Sequence, residues 1–154
     1  MTEQEIHNIC KEYNITNYTI NPDGSIDVDG NVDLSYMDLT EIPLKFNKVS
    51  GRFWCNNNKL TTLKGSPKEV GVYFECSNNK LTSLEHCSNI KGSLYCSNNK
   101  LKNLIGIGIV NGDIYMYNNP LESLEGFYGD YDKLYCDNKL KIIRKQKLKL
   151  IENL

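Results

Sequence analysis

Four groups of residues in the sequence are of types that carry chemistry. Cys55, Cys76 and Cys96 recur at steps of 21 and 20 residues, and Cys136 stands in the same series. Thiols in series suggest metal coordination or disulfide exchange. His86-Cys87 is the only adjacent pair that suggests nucleophilic catalysis. Asp27, Asp29 and Asp33 alternate along Asp27-Val28-Asp29-Gly30-Asn31-Val32-Asp33 in the manner of a calcium loop. From Lys139 to Lys149, six of the 18 basic residues (Lys139, Lys141, Arg144, Lys145, Lys147, Lys149) fall within 11 positions, a cluster suited to nucleic acid or an acidic protein.

Spacing weighs against most of this chemistry. Leu34 and Met116 occupy the same serial position as the cysteines, so the position asks for a soft apolar group rather than a thiolate. A closed zinc site wants four converging ligands, commonly in Cys-x₂₋₄-Cys pairs, and the chain has none. Stacked equivalents about 4.8 Å apart point the same way rather than at each other, which disfavours disulfides. His86 and Cys87 lack a third orienting group, and a convex-side loop is expected there. The aspartates lack the sixth-position Gly and twelfth-position Glu of a calcium loop, and are expected on the solvent side of strands. His7 is expected in solvent on a helix. The basic run reads best as the wet face of a cap helix. No catalytic residue, metal or cofactor is expected, and the chain does not read as an enzyme.

The elements that position these residues are set by a repeat. Cys76-Ser77-Asn78-Asn79-Lys80-Leu81 recurs as Cys96-Ser97-Asn98-Asn99-Lys100-Leu101, preceded by Cys55-Asn56-Asn57-Asn58-Lys59-Leu60. Six units span residues 31–143, each reading apolar-x-(Cys/Leu/Met)-x-x-Asn-x-Leu-x-x-Leu. Strand alternation turns Phe74 and Cys76 inward and Glu75 outward. Asn79, Asn99 and Asn119 can satisfy backbone groups of the bend and of adjacent turns as a ladder. Leu81/Leu84, Leu101/Leu104 and Leu121/Leu124 refill the interior. The return path, with Gly51, Gly92 and Gly112, is too short for a helix, and irregular or 3₁₀ turns are expected on the convex side.

This pattern resembles the leucine-rich repeat, and its 20–21-residue period is similar to the bacterial and bacteriophage versions. The resemblance implies a leucine-rich-repeat solenoid, a short curved parallel sheet that binds a protein on its concave face. The similarity of Cys-Ser-Asn-Asn-Lys-Leu-Thr-Ser-Leu to phage-encoded repeats implies a narrower role, blocking a host antiviral-defence protein by steric occlusion.

The ends read as caps. Thr2-x-x-Glu5 is a capping box for a helix over 2–13 that turns Ile6, Ile9, Cys10 and Tyr13 to one side. Asn21-Pro22-Asp23-Gly24 between apolar runs predicts a hairpin. Ile143, Leu148, Leu150, Ile151 and Leu154 predict a terminal helix sealing the stack. The division is then an N-terminal cap at 1–30, six repeats at 31–143 and a C-terminal cap helix at 144–154, one domain overall. Twenty Asn, two Gln and no Ala argue against a helical bundle. A net charge of −1 argues against a protein that wraps nucleic acid. No apolar run suits a membrane span or a signal peptide, so the chain reads as a cytoplasmic monomer (host cytoplasm if phage-encoded) with no membrane partner.

The binding candidates are the outward strand positions. One column holds Asp33, Trp54, Glu75, Tyr95, Tyr115 and Tyr135; the flanking columns supply Arg52, Tyr73, Asp113 and Lys133 on one side and Tyr117 on the other. The only Trp and five of the ten Tyr fall on this face, and Trp, Tyr and Arg dominate interface hot spots. Glu75, Asp113, Arg52 and Lys133 would set orientation. Six strands span roughly 25 Å, room for a modest interface of about 600–800 Å². The competing readings are nucleic-acid contact through the basic run and a structural assembly component.

Overall fold

The computed structural model describes residues 1–152, excepting the side chains of residues 149, 150 and 152. Leu150 and Leu154, expected to help seal the stack, and the charge of Lys149 lie outside what is described. Helix α1 (Glu3–Glu12) starts at the expected capping box: Thr2 accepts from the Glu5 amide at 3.2 Å, and Glu5 accepts from the Thr2 amide at 2.7 Å. Ile6 and Cys10 are its buried residues. Strands β1 (Tyr18–Ile20) and β2 (Ile26–Val28) pair antiparallel across the expected turn.

From there the chain is a β-solenoid of about six coils. Strands β3 (Val32–Asp33), β5 (Phe53–Trp54), β7 (Phe74–Glu75), β9 (Leu94–Tyr95), β10 (Ile114–Tyr115) and β11 (Leu134–Tyr135) stack in parallel as a six-stranded sheet. The pairing runs Phe53 to Phe74 to Leu94 to Ile114 to Leu134, so each unit sits one full repeat from the next.

The return path departs from expectation. In place of irregular or 3₁₀ turns it forms a second sheet, from β4 (Phe46–Val49), β6 (Glu69–Val70) and β8 (Asn89–Ile90) joined to the hairpin strands in the order β1-β2-β4-β6-β8. Its last contact is a bridge from Ile90 to Val110. The hairpin therefore starts this sheet as well as closing the first coil. Val49, Val70 and Ile90 are buried opposite the inward residues of the first sheet. The corner beside each of these strands needs glycine: a Cβ on Gly71 or Gly92 would lie 1.9 Å from the Ser50 or Val72 carbonyl of the preceding coil.

The interior is built in columns. Phe46, Phe53 and Phe74 meet edge to face with ring centroids 5.2 and 5.3 Å apart. Leu34, Cys55, Cys76, Cys96 and Met116 form the next column, all 0 % exposed. The pairs Leu60/Leu63, Leu81/Leu84 and Leu101/Leu104 complete it. Burying each such side chain contributes about 1.5–3 kcal/mol, and no single coil achieves that burial without its neighbours.

Between the two sides of the second to fifth coils stand two asparagines with different duties. Asn57, Asn78, Asn98, Asn118 and Asn138 take φ between 55° and 57°, the left-handed corner that asparagine tolerates. The next residue is the ladder: Asn58, Asn79, Asn99 and Asn119 are buried, and each amide bridges two coils. Lys139 replaces the ladder residue in the sixth coil, and the Leu121 amide turns instead to the Asn119 carbonyl of its own coil at 2.8 Å.

Helix α2 spans Lys139–Glu152, beginning five residues before the expected 144. Ile142 is the residue it buries, with Ile143 half-buried. Leu148 and Ile151, expected to seal the stack, are 59 % and 67 % exposed. Among the described residues, those of α2 that pack against the core, Ile142 and Ile143, lie in its first turns. Among the described residues no helix is long and apolar enough to cross a membrane.

Candidate functional site

The outward face of the six-stranded sheet carries the expected column. Strand pairing sets Asp33, Trp54, Glu75, Tyr95, Tyr115 and Tyr135 side by side. Two-residue strands suffice because each places one inward residue (Phe53, Phe74, Leu94) next to one outward residue.

The aromatic side chains are in contact over five coils. Tyr95 stacks on Tyr115, and Tyr115 on Tyr135, each with centroids 5.0 Å apart and planes within 13°. Glu75 interrupts the column, and Tyr73 from the flanking column closes the gap. Its ring meets Trp54 at 5.7 Å and Tyr95 at 5.6 Å, edge to face in both cases. The row is therefore Trp54–Tyr73–Tyr95–Tyr115–Tyr135. A cation stands at each end: the Arg52 guanidinium lies 5.1 Å from the Tyr73 ring centre and 5.8 Å from that of Trp54, and the Lys139 ammonium lies 5.9 Å from Tyr135.

This packing decides what the face can present. Tyr115 has a parallel ring on each side, so both its faces are closed to a stacking ligand, whereas Trp54, Tyr73 and Tyr95 each meet at least one neighbour edge to face. Trp54, Tyr73, Tyr95 and Tyr115 are half-buried in consequence, and Tyr135 is 36 % exposed. Asp113 accepts from the Tyr115 hydroxyl at 3.3 Å. Burial, followed by the Asp113 charge, raises the Tyr115 hydroxyl above its ordinary pKa, so it stays a neutral donor.

The polar residues of this face are partly committed to the stack. Glu75 accepts from the Ser77 amide at 2.9 Å, and Lys133 donates to the Asn111 carbonyl at 2.9 Å. Ser93 and Ser97 accept from the Asp113 and Tyr117 amides of the following coil. Arg52 is exposed, as is Tyr117 at 43 %, and Tyr117 stands outside the stacked row. Lys139 is the member that sequence reasoning placed elsewhere, in the basic run. The signal was its identity with the ladder position: a long side chain where asparagine belongs folds back over coil six and donates to the Leu134 and Tyr131 carbonyls at 2.8 and 3.0 Å.

The other candidate residues are held apart. Cys55, Cys76 and Cys96 are free and buried in the core column. Burial and the neighbouring Cys96 push the Cys55 thiol well above its ordinary pKa, and a hydrogen bond with Cys96 together with burial does so for Cys76. His86 is exposed at a corner with φ 67°, whereas Cys87 turns toward the core, its thiol pushed up to about 12 by burial. Cys87 thus sits in the expected loop between Leu84 and β8, half-buried and packed against the core. Asp27 accepts from the Asn21 and Asn47 amides and Asp29 from the Ser50 hydroxyl, each carboxylate serving a separate link between chain segments. His7 lies exposed on α1 with Nδ1 2.6 Å from the Tyr18 hydroxyl. Comparison with protein-family models, with curated proteins and with solved structures yields no match to this chain.

Proposed function

We propose that this β-solenoid is a non-enzymatic binding module of the leucine-rich-repeat type that holds a partner protein on the outward face of its six-stranded sheet. The observation that carries this reading is the unbroken row of one Trp and four Tyr over five coils, with Arg52 at one end and Lys139 at the other. Mutual stacking holds the rings in place before any partner arrives, so binding costs little side-chain entropy. Along the Tyr95–Tyr115–Tyr135 stretch the central ring has both faces closed, which suits a protein surface better than a sugar or base that needs an open face to stack on. The likeness of Cys76–Leu81 and Cys96–Leu101 to phage-encoded repeats supports a narrower form, in which the module occludes a host protein, one of antiviral defence among them.

The test is affinity purification from host lysate with the native chain and with Trp54→Ala/Tyr115→Ala. A partner retained by the native chain and lost by the double variant supports the reading, provided circular dichroism shows the same fold. Equal retention by both chains removes this face from consideration. Because Trp54 is the only Trp, its fluorescence reports the site directly, and a genuine partner shifts or quenches that emission on titration.

A further inference from the structure

Helix α2 meets the stack through Ile142 and leaves its opposite side open. Leu140, Leu148 and Ile151 are 66 %, 59 % and 67 % exposed. With Arg144 they follow a spacing of i, i+4, i+8 and i+11, which places all four down one side of a helix. Lys141, Lys145 and Lys147 are exposed on its flanks. Among the described residues none of these four cations forms an ion pair; the three salt bridges present lie elsewhere. Exposed aliphatic side chains flanked by unpaired cations, on a helix about 21 Å long at the edge of the molecule, have an unmet electrostatic complement and an unmet apolar one.

We infer that the outer face of α2 docks on an anionic lipid surface, lying in the plane of the interface. Leucine and isoleucine enter the acyl boundary while the lysine and arginine stems extend to lipid phosphates. A bilayer demands only what this face carries, apolar side chains and positive charge on one side of one helix, without the shape complementarity that a protein partner requires. Nucleic acid answers the charge but leaves three aliphatic side chains in water. The contact leaves the aromatic row of the six-stranded sheet free for its own partner.

The test is co-sedimentation of the full chain with vesicles at about 0.15 M salt. One set is pure phosphatidylcholine and the other contains about 30 % phosphatidylserine. The native chain pellets with the anionic vesicles and stays in solution with the zwitterionic ones. Lys141→Gln/Arg144→Gln/Lys145→Gln/Lys147→Gln weakens that binding by about tenfold or more. Leu148→Gln/Ile151→Gln also abolishes it; both sets replace exposed side chains, and an unchanged thermal midpoint verifies the fold. Absence of pelleting with anionic vesicles overturns the inference, as a face made for an acidic protein would require. Undiminished pelleting of the Leu148/Ile151 variant overturns it too, by showing adsorption through charge alone.

Discussion

The side chain of Asn79 holds the backbone of Leu60, one coil earlier: its Oδ1 accepts the Leu60 N–H at 3.0 Å. Its Nδ2 donates to the Cys55 carbonyl at 2.9 Å and the Cys76 carbonyl at 3.1 Å. One amide thus satisfies backbone groups of two coils in a region closed to water, where an unpaired group costs about 1–3 kcal/mol.

Asn79→Ala is therefore expected to destabilise the protein by about 3 kcal/mol or more. Asn79→Asp keeps an acceptor for Leu60 but removes both donors, and falls no less far. Urea denaturation monitored by far-ultraviolet circular dichroism measures both losses.

Two residues stand in left-handed corners where neighbouring coils use better-suited types. His86 has φ 67° at the position of Gly65, Gly106 and Gly126, and Tyr36 has φ 57° at that of the corner asparagines. Relief of that strain is expected to make His86→Gly and Tyr36→Asn each stabilising by about 0.5–1 kcal/mol. Gly106→Ala is expected to do the reverse, because its Cβ would lie 2.5 Å from the Glu85 nitrogen. Thermal melts of the three variants give the signs.

The buried thiols make stability fall in alkali. Cys55, Cys76 and Cys87 have folded pKa values above the ordinary value. Their contribution is whole below the unfolded pKa of about 8.5 and is lost as pH rises from there toward the folded values. Denaturation midpoints under reducing conditions should drop between about pH 8 and pH 10, and Cys76→Val should shrink the drop. With iodoacetamide near pH 8, the half-buried Cys136 is expected to react before Cys55 and Cys76, which wait for unfolding.

Acid acts through exposed carboxylates. The Lys45 ammonium at 2.6 Å, then the Ser25 hydroxyl and amide, hold the Asp23 carboxyl well below the usual range. Lys59 lowers Asp38, and the Thr2 amide lowers Glu5. Depressed carboxylates contribute above their unfolded pKa of about 4, and that contribution is lost as pH falls through the folded values. Stability measured from neutral pH downward should decline below about pH 4, and Asp23→Asn should flatten the decline.

The aromatic row was only partly legible beforehand. Trp54, Tyr95, Tyr115 and Tyr135 announce themselves by their spacing, since equal steps along a repeat mean neighbours in space. Tyr73 reads as a flanking residue because linear spacing assigns columns but not ring directions; it fills the gap at Glu75 only by reaching diagonally between strands. Lys139 reads as one charge of a run, and its place over Tyr135 depends on where the sixth coil turns into α2. Leu148 and Ile151 read as core for the same reason: helical spacing shows that they share a side, not what that side faces.

The period, the inward Leu and Cys columns, the ladder asparagines and the capping box are properties of residue type at fixed spacing, and the sequence determines them alone. The second sheet, the closure of the aromatic row and the open face of α2 belong to the tertiary structure. A strand such as Glu69–Val70 has two residues and no periodicity of its own. It is a strand because β4 and β8 lie on either side with backbone groups to pair. Hydrogen bonds between coils, ring stacking and burial each require a second chain segment at a set distance, and only the stacked fold sets that distance.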